Sequence, residues 1–191
     1  MSYAITGPRK FRDIDKKPLR YFFMLFSESM KEIKVGGAKG IDTYILSLAL
    51  EYNKNNDKKI YISVYLPDTL EQQPKSTWAI TRQADEIIEL RNKITKEDNY
   101  LSYRIRNKEM IKKTIGLLAF WNGSVRSGTY MSMNEYSKYY HDSSNKIFIF
   151  PLIRSNNSYL TLGATKSRFE SIYRRISIVY YDRSKKVLKK I

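Results

Sequence analysis

Apolar and polar positions along this chain follow two periods, one suited to strands and one to helices, and the two alternate from the first residues. Residues 3–5 are a short apolar strand closed by Gly7-Pro8. Pro18 falls where the first turn of a helix tolerates proline, and Leu19, Phe22, Phe23, Phe26 and Met30 mark one helical face. Residues 33–35 form a second short strand running into Gly36-Gly37, and Ile41, Tyr44, Ile45, Leu48, Ala49 and Tyr52 follow at helical core spacing. After a polar turn at 53–59, Ile60, Ile62, Val64 and Leu66 alternate as a third strand ended by Pro67. Residues 68–76 read as a polar loop, with a short helix around 78–83, a fourth strand at 86–90 and a charged loop at 92–99. A helix is predicted over 101–113 and the most apolar strand of the chain over 115–121. A polar loop at 122–128 leads to a helix at 129–140, with Met133, Tyr136 and Tyr140 inward, and to a sixth strand at 147–153.

Strands alternating with helices predict an α/β fold of Rossmann type. It is a doubly wound, mostly parallel sheet with helices on both faces. In that architecture ligands bind beyond the carboxyl ends of the strands. A chain of 191 residues suffices for one well-buried core. The pattern breaks after residue 153, where a helix at 168–175, a strand at 176–181 and a basic end piece at 185–191 are expected. Residues 1–153 are therefore predicted as the Rossmann-type domain that carries the ligand site. Residues 154–191 are predicted as a basic C-terminal extension packed on or trailing the same domain.

Composition narrows the chemistry. The chain has no cysteine, which excludes a disulfide framework or thiolate metal site, and a single histidine, His141, cannot build a zinc site. His141 is expected on the surface, late in a helix. No apolar run reaches the roughly 18 residues that span a membrane, and the first residues read as a strand rather than a signal peptide. A cytoplasmic protein with no membrane partner is expected. The net charge of +16 attracts polyanions. From Pro151 onward ten Lys and Arg stand against Glu170 and Asp182, half the net charge in about a fifth of the chain.

Three loops at the predicted carboxyl edge suit anions. Thr6-Gly7-Pro8-Arg9 combines a tight turn with a guanidinium in Arg9. Gly36-Gly37-Ala38-Lys39-Gly40-Ile41-Asp42 places glycines at a helix N-terminus, where free amides and the helix dipole favour negative charge. It lacks the Gly-Lys-Ser/Thr ending of a Walker loop and is no GxGxxG fingerprint. Its alternative reading is a glycine-rich connection chosen for tight helix–sheet packing. Asn122-Gly123-Ser124-Val125-Arg126-Ser127-Gly128-Thr129 brings two glycines, hydroxyls and an arginine to another helix start. The helix before the fifth strand carries Arg104, Arg106, Asn107 and Lys108.

The segments taken together resemble the SLOG superfamily of DprA-like and "lonely guy"-like Rossmann proteins, and within it the YpsA/YspA-like branch. The residues carrying the resemblance are Ile5-Thr6-Gly7-Pro8-Arg9, the block at 36–42, Leu66-Pro67, the stretch 73–78, Ala84-Asp85-Glu86-Ile87-Ile88, Arg106-Asn107-Lys108-Glu109-Met110, and Ala119-Phe120-Trp121-Asn122-Gly123 leading to Ser127-Gly128-Thr129. Together they span roughly residues 1–153.

The resemblance implies a nucleotide-derived ligand, with phosphate or ribose held at Gly36, Gly37, Lys39 and Gly40 and at Ser127, Gly128 and Thr129. Gly7, Arg9, Asp42, Asn107, Asn122 and Gly123 are expected beside it, and Arg106 matches an arginine that phosphoribohydrolase members use near substrate. Those members carry a glutamate after Gly-Thr; here Tyr130-Met131-Ser132-Met133 follow. Without that carboxylate, N-glycosidic cleavage loses its main partner. The expectation is a binding protein that senses or sequesters a nucleotide derivative, with no cofactor required and no catalytic residue assigned. Two alternatives remain. One is a DprA-like nucleic-acid binder using the basic surface, with Lys185, Lys186, Lys189 and Lys190 as contacts. The other is a phosphoribohydrolase-like enzyme with a displaced acid/base, Glu135 or Asp42.

Overall fold

The computed structural model describes residues 1–92, 99–140, 144–154, 156–169 and 176–190. His141, residues 170–175 of the expected helix at 168–175 and most of the loop at 92–99 lie outside them. The described strands are β1 (Ser2–Thr6), β2 (Glu32–Val35), β3 (Tyr61–Leu66), β4 (Glu86–Glu89), β5 (Gly116–Trp121), β6 (Lys146–Pro151), β7 (Ser177–Asp182) and β8 (Val187–Lys190). The helices are α1 (Asp13–Ser27), α2 (Ile41–Asn55), α3 (Lys75–Thr81), α4 (Asn99–Ile111), α5 (Gly128–Tyr139) and α6 (Leu162–Arg168), with a 3-10 turn at Leu70–Gln72 inside the stretch expected as a loop.

The strands form one sheet in the order β4-β3-β2-β1-β5-β6-β7-β8, in which every described pairing is parallel except β7 with β8. Side-chain alternation along each strand splits the interior into two cores. Tyr3 and Ile5 of β1 join Leu118 and Phe120 of β5 beneath α1 and α2, whereas Ala4, Leu117, Ala119 and Trp121 pack beneath α4 and α5. All six residues of β5 are buried, as a central parallel strand covered on both faces requires. The chain leaves β1 toward β2 on one side and returns as β5 on the other. The order of winding therefore reverses between β1 and β5, and the carboxyl ends of these two strands splay apart to leave a crevice.

Two expectations need correction. The first helix begins at Asp13, so Pro18 is its sixth residue and not part of the first turn. The missing proline N–H costs one intrahelical bond there. The earlier start is held by Asp15, fully buried, which accepts the Ile153 N–H at 3.2 Å and pairs with Arg183. Asp13 and Asp15 also sit favourably against the helix dipole.

The second concerns the last residues. The stretch read as a basic end piece includes β8, an edge strand that closes a hairpin with β7. β7 itself lies parallel to β6, and its Tyr181 belongs to the first core. There Phe22 meets Phe26, Phe120, Phe150 and Tyr181 with ring centroids 5.1–5.6 Å apart, which binds α1, β5, β6 and β7 into one aromatic cluster. No helix among the described residues is long and apolar enough to cross a membrane.

Candidate functional site

A cleft of about 650 Å³ opens where β1 and β5 diverge. Its walls come from the loop after β1, the start of α2, one face of α4 and the first turn of α5. Of the residues expected to bind ligand, Gly7, Arg9, Asp42, Arg106, Asn107, Ser127, Gly128 and Thr129 line it, joined by Tyr103, Ser132 and Arg126.

Arg106 dominates its electrostatics. It projects from α4 and is only 8% exposed, yet its Nε and Nη1 have no hydrogen-bond partner. Asp42 is the nearest carboxylate, with Oδ2 at 3.9 Å from Nη1, too far for a direct hydrogen bond. Asp42 instead accepts the Ala38 N–H at 3.2 Å and the Gly36 N–H, bracing the loop it follows. Burial pushes the Asp42 carboxyl above its ordinary range, and Arg106 and the loop amides oppose that only in part. Burial likewise lowers Arg106, with Asp42 and Tyr103 opposing it and nearby Arg9 adding to it. Both partners are thus shifted toward neutrality, the behaviour of a pair whose attraction does not offset its desolvation. Arg9 and Arg106 also share Tyr103, their guanidinium carbons lying 5.2 and 5.6 Å from its ring centroid. Three arginines, Arg9, Arg106 and Arg126, therefore line one cleft in which Asp42, engaged with its loop, is the one carboxylate among the described residues.

Across the cleft α5 presents its N-terminus. Ser127 caps it by accepting the Tyr130 N–H at 3.1 Å, and Met131 N donates to the Ser127 carbonyl. A Cβ on Gly128 would meet nothing within 4 Å, so this glycine leaves open space beside the helix start. Asn107 reaches the same wall, its Nδ2 donating to Ser132 Oγ at 2.9 Å.

The glycine-rich loop after β2 plays another part. Gly37, at φ +66°, points into the core, where a Cβ would lie 2.6 Å from Leu66 Cδ2 and 2.9 Å from Val64 Cγ1. Gly36 lies beneath the Arg106 guanidinium, in space a Cβ would take. Gly40 and Gly7 let the loops after β2 and β1 close on each other, with Ile41 N donating to Pro8 O at 3.1 Å. Lys39 is exposed, and none of Gly36, Gly37, Lys39 and Gly40 lines the cleft. Tight packing, the alternative reading of this loop, describes these glycines.

Asn122 and Gly123 line a second cleft, of about 630 Å³, beyond the ends of β5 and β6. Glu135, proposed above as a displaced acid/base, lines neither. It is buried among Arg104, Lys108 and Lys138, with Arg104 Nη2 at 2.9 Å, so it pairs α4 with α5. The four lysines near the end of the chain are not equivalent. Lys189 Nζ is 2.7 Å from Asp182 Oδ2 and Lys186 Nζ lies 6.0 Å from the Tyr21 ring centroid, while Lys185 and Lys190 are exposed. Sequence reasoning missed Tyr103 and Ser132. Their signal was present, since Tyr103 stands one helical turn before Arg106-Asn107, and Ser132 one turn after Gly128.

No family model matches the sequence, and no curated protein does. Solved structures do. DNA processing protein A (DprA) of Streptococcus pneumoniae is similar over 92% of this chain, with a TM-score of 0.66 and 16% identity, and the chain spans 57% of its length. DNA processing protein A of Helicobacter pylori, described for its single-stranded DNA binding mode, matches 92% of this chain and 74% of its own, with a TM-score of 0.63 and 20% identity. A molybdenum cofactor binding protein from Rippkaea orientalis matches 93% of this chain and 87% of its own, with a TM-score of 0.58 and 12% identity. At these identities the likeness is one of fold.

Proposed function

We propose that this chain binds a phosphate-bearing nucleotide derivative in the cleft between β1 and β5, without cleaving it. The observation that carries the reading is Arg106, which lines the cleft together with the capped N-terminus of α5 and whose buried Nε and Nη1 lack hydrogen-bond partners. A buried cation short of hydrogen bonds is costly, and a phosphate entering the cleft is the anion that would offset the charge of the guanidinium. The α5 N-terminus complements the same charge. Asp42 is the only carboxylate in the lining among the described residues, and it braces the loop after β2 by accepting the Ala38 and Gly36 amides; the reading without cleavage rests on Tyr130-Met131-Ser132-Met133 standing where a glutamate would follow Gly128-Thr129. The finer likeness to the YpsA/YspA-like branch rests on the sequence motifs and supports the same ligand class.

The test is calorimetric titration with AMP. The parent protein should bind, and Arg106→Ala should weaken binding by roughly ten- to a hundredfold, as loss of a charge-assisted contact predicts. Parental affinity in a folded Arg106→Ala variant would refute the site. A second reading, a nucleic-acid strand whose phosphates occupy the same place, is favoured by the net charge of +16 and by the likeness to the two DNA processing proteins.

A further inference from the structure

The second cleft differs from the first in its charge. Lys10, Arg12, Arg126, Arg154 and Arg168 line it, and no carboxylate among the described residues does. None of the five forms an ion pair among the described residues. Arg12 Nη1 donates to the Arg154 carbonyl at 3.3 Å and to Asn157 Oδ1, and Arg168 Nη1 donates to the Gly123 carbonyl at 2.6 Å. These carbonyls and the amide orient the guanidinium groups without neutralising them. Five like charges around one concavity repel one another, and such an arrangement gains most from an anion of more than one charge. Phe11, Leu152 and Ile153 supply an apolar surface beside them, suited to the face of a ring.

The two clefts are neighbours. Val125 and Arg126 line both, so the residues just before α5 form a ridge with one cleft on either side. Each is of the size that holds a small ligand. The Arg12 bridge to Arg154 and Asn157 ties the loop after β1 to the segment after β6 in the wall of the second cleft. Two such lobes beside one ridge match a ligand of two joined units better than a long strand running through.

Building on the reading that the first cleft holds a phosphate-bearing nucleotide, we infer that the second cleft is a further anion subsite. The ligand is then a dinucleotide-like molecule, with its second phosphate-bearing unit across the Val125–Arg126 ridge. Lys10, Arg12, Arg154 and Arg168 hold the phosphate of that unit, Phe11 and Leu152 bear on its ring or ribose, and Arg126 serves both halves.

Calorimetric titration of the full chain with AMP and with the phosphorylated dinucleotide pApA tests this. The dinucleotide should bind at least about tenfold more tightly than AMP, as one added charge-assisted contact predicts. The double variant Lys10→Gln with Arg154→Gln removes two exposed cations whose side chains form no ion pair or hydrogen bond among the described residues. It should lower pApA affinity to the level of AMP and leave AMP binding unchanged. Equal affinity of the parent for the two ligands, or equal loss of both in the variant, would overturn the subsite. So would tight binding confined to a 20-nucleotide single strand, which would assign the cations to nucleic acid. The two readings fail separately. Binding of pApA that depends on Lys10 and Arg154 but survives Arg106→Ala would remove the first cleft's role and keep the second's, and absence of binding by either ligand would remove both.

Discussion

Gly36→Ala separates the ligand role of Arg106 from any role in holding the fold together. A Cβ at residue 36 would occupy the space of the Arg106 guanidinium and lie 2.7 Å from Asp42 Oδ2, so the guanidinium must leave its place. The guanidinium is the end of a flexible side chain, and where it now lies it is desolvated, lacks hydrogen bonds at Nε and Nη1 and stands 3.9 Å from its carboxylate. Moving it to solvent recovers its hydration and forfeits a weak pairing, so the net stability change should stay within about 1 kcal/mol, or roughly 2–4 °C in Tm for a domain of this size. Ligand affinity should fall much further, by about 1.5–3 kcal/mol, because the bidentate acceptor site is displaced. Calorimetric titration with AMP, paired with thermal unfolding of the same samples, reads both quantities. The double variant with Arg106→Ala should bind no more weakly than either single one, because both remove the same contact. A Gly36→Ala protein that folds and binds AMP like the parent would refute the argument, as would additive losses in the double variant.

Gly37→Ala should act in the opposite way, lowering stability by roughly 1–3 kcal/mol through overpacking against Leu66 and Val64 and a left-handed backbone; weaker AMP binding by the folded protein at unchanged Tm would contradict this. Arg183→Met leaves fully buried Asp15 without its counter-ion and should cost about 3–5 kcal/mol, lowering Tm by more than about 6 °C, with partial recovery on adding Asp15→Asn; an unchanged Tm would count against the pair. Because burial raises Asp42 in the folded state, the native protein binds its proton more tightly than the unfolded chain does. The resulting stabilisation is complete below the ordinary value of 3.8 and is lost as pH rises through the raised native value. Asp42→Asn should remove that decline, and parallel Tm–pH profiles for parent and variant would refute it.

Much of this fold is legible in the chain, and the illegible parts have physical causes. β5 announces itself because a central parallel strand is buried on both faces. β8 does not, because Val187 and Leu188 at the sheet edge are both exposed and give no alternation. The start of α1 is hidden because only Asp15 among its first five residues turns inward, and a buried aspartate mimics a polar surface position. Arg9 and Ser127-Gly128-Thr129 are legible as motifs at strand ends and Arg106 through the family resemblance on the helix before β5, and the reversal of strand order between β1 and β5 brings them to one cleft. The glycines at 36 and 37 could not be assigned from the sequence, because close approach to a phosphate and close approach to a neighbouring side chain demand the same residue. The second cleft could not be foreseen, since its cations come from segments as far apart as Lys10 and Arg168, with no local spacing to betray them.

The bond network around Asp15 sets a schedule for biosynthesis. This carboxylate braces the start of α1, close after the loop that carries Arg9, yet two of its partners are Ile153 and Arg183, the latter 168 residues further along the chain. A nascent chain emerging from the ribosome can form β1, α1 and β2 early, but it carries Asp15 without these partners until the β7–β8 hairpin is translated. The bracing of this end of the sheet is therefore completed only after residue 183 has been made. Such long-range closure slows folding relative to local contacts. Until then the nascent protein presents unsealed aromatic surface around Phe22, which Tyr181 of β7 covers in the finished fold.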